Sequence, residues 1–146
     1  MSARIVPPGV LVTKAAQNLP QTATANLYTV TGGAVLVTGL LGTVTTVIGA
    51  TATNLSIGVT GSTQVVATPT AITNSAVGTL LFPLKSGGIG GALQVAGAAF
   101  VLAPPFIIDA FIVAVANITW TTTGSTTGQV KWSLWYTPLD AGATVT

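Results

Sequence analysis

An all-β, antiparallel two-sheet sandwich of the jelly-roll kind, preceded by an extended N-terminal arm, is the fold this sequence predicts. Three observations predict it. Val, Ile and Thr dominate the long uncharged stretch between Lys14 and Lys85, and β-branched side chains suit strands better than helices. Short apolar runs are cut at close intervals by Gly and Pro, the mark of many short strands. No stretch holds the 3.6-residue period of a helix, so crossover helices for a parallel sheet are missing.

Residues 1–26 read as the arm. Pro7, Pro8, Gly9 and Pro20 punctuate them, and proline is kept out of helix interiors and central strands. Arg4 and Lys14 lie here, and Ile5, Val6, Val10, Leu11 and Val12 are the apolar anchors with which such an arm would lie along a neighbouring subunit. One short strand is expected at Val10–Thr13. The sandwich domain then occupies residues 27–146.

Within that domain, strands at 27–31 and 34–40 flank Gly32-Gly33, a two-glycine hairpin signal because both residues accept positive φ. Gly42 separates the second of these from a strand at 43–50. A strand at 53–60 closes at Gly61-Ser62, and one at 64–67 ends before Pro69. Residues 70–75 have room for a single helical turn. A strand at 77–82 leads into the loop Lys85-Ser86-Gly87-Gly88-Ile89-Gly90-Gly91. Short strands at 92–96 and 99–103 precede the Pro104-Pro105 turn, and 106–108 follows it. Residues 111–123 form the strongest strand. A Ser/Thr turn at 124–128 leads to the last strand, 129–137, and to a tail at 139–146.

Composition limits the chemistry. Only 4% of the residues are charged, against about 25% in ordinary soluble domains. There is no His, no Cys and no Glu. Ser and Thr are abundant, but nothing in the chain can activate them as nucleophiles. Asp109 and Asp140 are the only carboxylates, and each suits turn or capping duty better than an acid–base pair. Two aspartates do not make a metal cage. The glycines after Lys85 do not make a phosphate loop, where Lys follows the glycines and opens a helix. No catalytic role, cofactor or metal is expected.

The four cations, Arg4, Lys14, Lys85 and Lys131, give a net charge of +2. They are too few and too scattered to neutralise a run of phosphates, so direct nucleic-acid binding is not expected. Mean hydropathy is high, at +0.78. Yet the most apolar run, 93–118, is interrupted by Pro104, Pro105 and Asp109, and the aromatics do not form two girdles, so no membrane insertion is expected. The opening MSARIVPPGV lacks the unbroken apolar core of a secretory leader. A chain this close to neutrality has little self-repulsion to hold copies apart, and a homo-oligomer is expected.

Aromatic residues gather near the end of the chain. Alternation puts Trp132 and Tyr136 on one face of a strand and Trp135 on the other. Packing in a core or interface is the expected use of these large apolar rings.

The run Leu27-Tyr28-Thr29-Val30-Thr31-Gly32-Gly33-Ala34-Val35-Leu36-Val37-Thr38-Gly39-Leu40, continued by Gly42-Thr43-Val44-Thr45-Thr46-Val47-Ile48, resembles small virion proteins of tailed bacteriophages. The ending Val130-Lys131-Trp132-Ser133-Leu134-Trp135-Tyr136-Thr137-Pro138-Leu139-Asp140-Ala141-Gly142-Ala143 is similar to the same group. The resemblance covers roughly residues 27–60 and 128–146. It implies a head decoration (cement) protein: a homotrimer on the capsid exterior that caps junctions between copies of the major capsid protein, its N-terminal arm embracing a neighbour. It carries no catalytic residues with it. The alternative is a tail or fibre component of the virion whose aromatic face binds a host glycan or receptor.

Overall fold

A computed structural model of the chain describes residues 9–83, 91–97 and 110–146. These residues form two antiparallel sheets packed face to face as a sandwich. The strands are β1 (Val10–Thr13), β2 (Gln17–Asn18), β3 (Thr24–Thr31), β4 (Val35–Thr46), β5 (Asn54–Val59), β6 (Val65–Ala71), β7 (Leu80–Pro83), β8 (Leu93–Ala96), β9 (Phe111–Val113), β10 (Asn117–Thr122), β11 (Gln129–Pro138) and β12 (Thr144–Val145).

The seven-stranded sheet has the order β1-β11-β4-β7-β8, with β2 also on β11 and β9 also on β4; the five-stranded sheet has the order β12-β3-β10-β5-β6. The rows β1-β11-β4-β7 and β3-β10-β5-β6 face each other. From β1 to β11 the chain passes back and forth between the sheets, with the β5–β6 hairpin as its in-sheet step in these rows. That is the two-Greek-key order of a jelly roll. β1 lies on β11 of the same chain, in the register Val10 to Tyr136 and Thr13 to Ser133.

Alternation builds the core. Val35, Val37, Leu40 and Val44 on β4 meet Val130, Trp132, Leu134 and Tyr136 on β11, all buried. The opposite sheet supplies Tyr28, Val30, Leu55, Ile57, Ile118 and Trp120. Trp120 and Trp132 meet across the gap between the sheets, edge to face, with ring centroids 5.9 Å apart and planes at 86°. That geometry is favoured by the aromatic quadrupole. Among the described residues four enclosed polar atoms, Trp120 Nε1, Trp132 Nε1, Thr53 Oγ1 and Thr122 Oγ1, find no hydrogen-bond partner.

Several elements differ from the expectation. Gly42 is not a break: β4 runs from Val35 to Thr46 through both Gly39 and Gly42. Each glycine leaves room for a tryptophan of β11. A Cβ on Gly42 would come within 2.9 Å of the Trp132 ring, and one on Gly39 within 2.9 Å of Trp135. Gly32-Gly33 takes the expected positive φ, 76° and 145°, but joins β3 in one sheet to β4 in the other and so makes a corner instead of a hairpin. Asp140 holds that corner: its carboxylate accepts a hydrogen bond from the Ala34 amide at 2.7 Å.

The strand expected over 111–123 is two strands, because β9 pairs with β4 and β10 pairs with β3 and β5. The chain changes sheets between Val113 and Asn117. Pro69 lies inside β6, where its missing N–H is tolerated on an outer strand. The tail carries β12, paired to β3. At 72–75 there is a tight turn, closed by the Ser75 amide and hydroxyl on the Ile72 carbonyl. The strands expected at 99–103 and 106–108, the greater part of the glycine loop after Lys85, and Asp109 lie outside the described residues.

Candidate interaction surface

Three of the ten arm and interface candidates, Arg4, Ile5 and Val6, lie outside the described residues. The other seven come together at one edge of the seven-stranded sheet, because β1 pairs with β11. They divide by parity. Val12 turns inward and packs against the core. Trp132 is completely enclosed, at 0% exposure, and Tyr136 is buried beside it. Their rings are core material and present no open face to a sugar or a partner.

Leu11 and Trp135 are opposite each other in the register and point outward. Leu11 is 52% exposed, and Trp135 is half-buried. Val10, at the edge, is exposed too. Lys14 closes the strand. Its amide donates to the Trp132 carbonyl at 2.8 Å, and its ammonium stands 5.6 Å from the centre of the Tyr28 ring, a cation–π distance. Beneath it the Tyr28 hydroxyl donates to the Val12 carbonyl at 3.2 Å. Burial pushes the Tyr28 phenol well above its ordinary pKa, against a smaller opposing pull from a backbone hydrogen bond with Lys14.

The outward positions of the neighbouring strands extend this edge into a surface. On β4 they include Leu36 and Leu41, both half-buried. Leu36 pairs with Ile112 of β9, which is 67% exposed. The apolar track therefore consists of two cross-strand pairs, Leu11 with Trp135 and Leu36 with Ile112, set diagonally to each other because Trp135 lies opposite Gly39 and Leu36 opposite Thr137. Beyond Ile112 a cleft of about 370 Å³ opens between the β5–β6 turn and residues 111–116, with Val59, Val66 and Phe111 in its wall. Lys131 is the charged residue on the outward parity of β11, opposite Thr43.

Leu36, Leu41 and Ile112 were not among the sequence candidates. The signal for two of them was present: Val35-Leu36-Val37 and Leu40-Leu41 put apolar residues on both parities of one strand. A strand with water on one face would alternate apolar and polar.

The outer face of the five-stranded sheet has a different chemistry. Its outward positions include Thr24, Asn26 and Thr29 on β3, Thr119 and Thr121 on β10, and Ser56 on β5. Thr24 and Thr121 share a hydroxyl hydrogen bond of 2.7 Å, and Thr31 and Thr144 one of 3.0 Å. Among the described residues no three His, Cys, Asp or Glu side chains gather, and no helix is long and apolar enough to cross a membrane. Compared with protein families, curated proteins and solved structures, the chain matches none of them.

Proposed function

We propose that this chain is a non-enzymatic structural protein of a tailed-phage virion: a homotrimeric head decoration protein on the capsid exterior, capping junctions between major capsid protein subunits. The observation that carries the assembly part of this reading is the open apolar track Leu11–Trp135–Leu36–Ile112 on a nearly chargeless chain. Contiguous exposed apolar surface rimmed by polar residues marks contact sites. A contact made without ion pairs is insensitive to salt, because screening has nothing to act on. Many copies, each with a modest contact, reinforce a shell through multivalency, and closed symmetry limits each assembly to a fixed size. The viral part of the reading is supported by the sequence resemblance of residues 27–60 and 128–146. The jelly-roll order suits it, since that fold recurs in viral capsid domains.

The test is location. Particles containing this chain are separated into heads and tails, and the chain is quantified in each and mapped by electron cryomicroscopy. The reading expects it on the outer surface of expanded heads, at subunit junctions. Its presence in tails alone would overturn the reading.

A further inference from the structure

We propose that the cleft between the end of β2, the end of β4 and the turn before β11 binds an uncharged sugar, held by Asn18, Gln129 and Thr126. The site is separate from the apolar track and does not depend on the assembly proposed above. It lies at Thr46, the opposite end of β4 from Leu36, and no aromatic residue lines it.

The register of β11 builds the first wall. Gln129 opens that strand between Asn18 of β2 and Thr46 of β4. Val130, next along, is buried in the core, so alternation turns Gln129 outward. The Gln129 amide is fixed at both ends: Nε2 donates to Asn18 Oδ1 at 3.0 Å, and Oε1 accepts from the Thr46 hydroxyl at 3.1 Å. Gln21 fixes the second wall. Its Nε2 donates to the Thr126 carbonyl at 2.7 Å and to the Leu19 carbonyl at 3.1 Å, and its Oε1 accepts from the Ser125 hydroxyl at 2.7 Å. Gln21 and Thr22 hold φ of 57° and 59°, a region that residues other than glycine seldom occupy. The cleft measures about 450 Å³, a size suited to a small ligand.

The free donors and acceptors select the ligand. With its Oδ1 engaged, Asn18 keeps both Nδ2 hydrogens to donate, and Gln129 keeps one. Thr126 is 8% exposed and lines the cleft, yet its hydroxyl has no hydrogen-bond partner among the described residues. Buried hydroxyls are normally partnered. This one is not among the fully enclosed atoms of the core; it opens on the cleft. The lining has no charged and no large apolar side chain. It offers nothing to neutralise an ion and little to an apolar ring. Groups that both donate and accept suit it, and a neutral sugar carries several of them on a rigid ring. The amides are already held in place, so binding requires little further ordering.

The test follows the amide spectrum of the full, isotope-labelled chain during titration with methyl α-glucoside, methyl α-galactoside, N-acetylglucosamine and maltotriose. At least one probe should give saturable shifts of the Asn18 and Gln129 side-chain amides, with a Kd in the millimolar range. Thr126→Val keeps the shape and removes the hydroxyl, and should weaken that binding about three- to tenfold. Trp135→Ala, on the apolar track, should bind as the parent does. Shifts with maltotriose as well as a monosaccharide assign the ligand to a glycan chain; shifts with a monosaccharide alone assign it to a free sugar.

The absence of saturable shifts with all four probes overturns the site. So does a folded Thr126→Val chain that binds as tightly as the parent, or binding that is lost in Trp135→Ala and kept in Thr126→Val. If Thr126→Val does not fold, Asn18→Ala at an exposed position takes its place with the same expected loss. No oligomer or capsid enters the measurement, so its outcome is independent of the decoration role.

Discussion

Across the five-stranded sheet the outward side chains include Thr24, Asn26, Thr29, Thr119, Thr121 and Ser56, with Val65 as the exposed apolar exception; across the seven-stranded sheet Leu11, Trp135, Leu36, Leu41 and Ile112 stand among Thr13, Thr43, Lys131 and Ser133. Both sheets are antiparallel, and both bury Val, Leu and Trp on the side facing the core. The difference lies only in what each turns away from the core. Threonine satisfies a strand's β-branched preference and hydrates its own surface, and cross-strand pairs such as Thr24 with Thr121 add modest stabilisation. Leucine and tryptophan in the equivalent places leave apolar surface open. In a chain with so little charge, hydroxyls are the main polar groups its strands can turn outward. The face that sets Leu11, Trp135, Leu36 and Ile112 among its hydroxyls is the one fitted for contact.

The comparison depends on a sandwich that holds the two faces apart, so the largest effect is expected from breaking its centre. Trp132→Ala removes the ring that meets Trp120 across the sheets and should cost about 3–5 kcal/mol, read as a lower urea midpoint with loss of both faces together. Gly42→Ala probes the same place from the backbone. Its new methyl meets an enclosed Trp132 ring 2.9 Å away and should cost about 1–3 kcal/mol by overpacking. A neutral result would mean that the ring can move.

A subtler contrast sets threonines outside against one inside. Thr122 is buried with its hydroxyl unpartnered. Replacing that hydroxyl by a methyl in Thr122→Val should stabilise the protein by about 1 kcal/mol, because an unmet desolvation penalty disappears. Thr121→Val, one residue away on the hydrated face, removes the hydroxyl pair with Thr24 and should instead destabilise by about 0.2–1 kcal/mol.

The pH profile sharpens the picture at the β1 edge. The folded-state pKa of Tyr28 is raised, so its contribution is fully present below the unfolded phenol value near 10 and is lost as pH rises through the higher folded value. Melting temperature should fall above about pH 10, and Tyr28→Phe should flatten that part of the profile. An unchanged alkaline limb in the variant would assign the loss to another group.

Much of this architecture was legible in the sequence. The sandwich followed from the spacing of Gly and Pro among Val, Ile and Thr. The strand Val10–Thr13, the turn duty of Asp140 and the opposite parities of Trp135 and Trp132 followed from local pattern alone. What was not legible depended on partners far along the chain. Gly42 reads as a break until Trp132 arrives to fill the space above it. Gly32-Gly33 has hairpin chemistry, yet the strands it joins belong to different sheets, a matter settled by Tyr28 packing against one layer and Val35 against the other. The run 111–116 is apolar on both parities and 117–123 continues with no Gly or Pro to mark a break, which hides the point where it leaves β4 for β3 and β5. The contact track was half legible: Leu11 and Trp135 were singled out, whereas Leu36 and Ile112 join them only through the β11–β4 and β4–β9 pairings.

The claim that the two outer faces differ in purpose is tested most directly by sedimentation of the full chain beside Ile112→Asp and Thr121→Asp. All three should remain folded: Ile112 is exposed, and Thr121→Asp, which disturbs the Thr24 pair on a half-buried site, should cost no more than about 1 kcal/mol. The account predicts a trimer for the parent and for Thr121→Asp, and a folded monomer for Ile112→Asp. A parent that is monomeric at every concentration, or an Ile112→Asp chain that assembles as well as the parent, would contradict it.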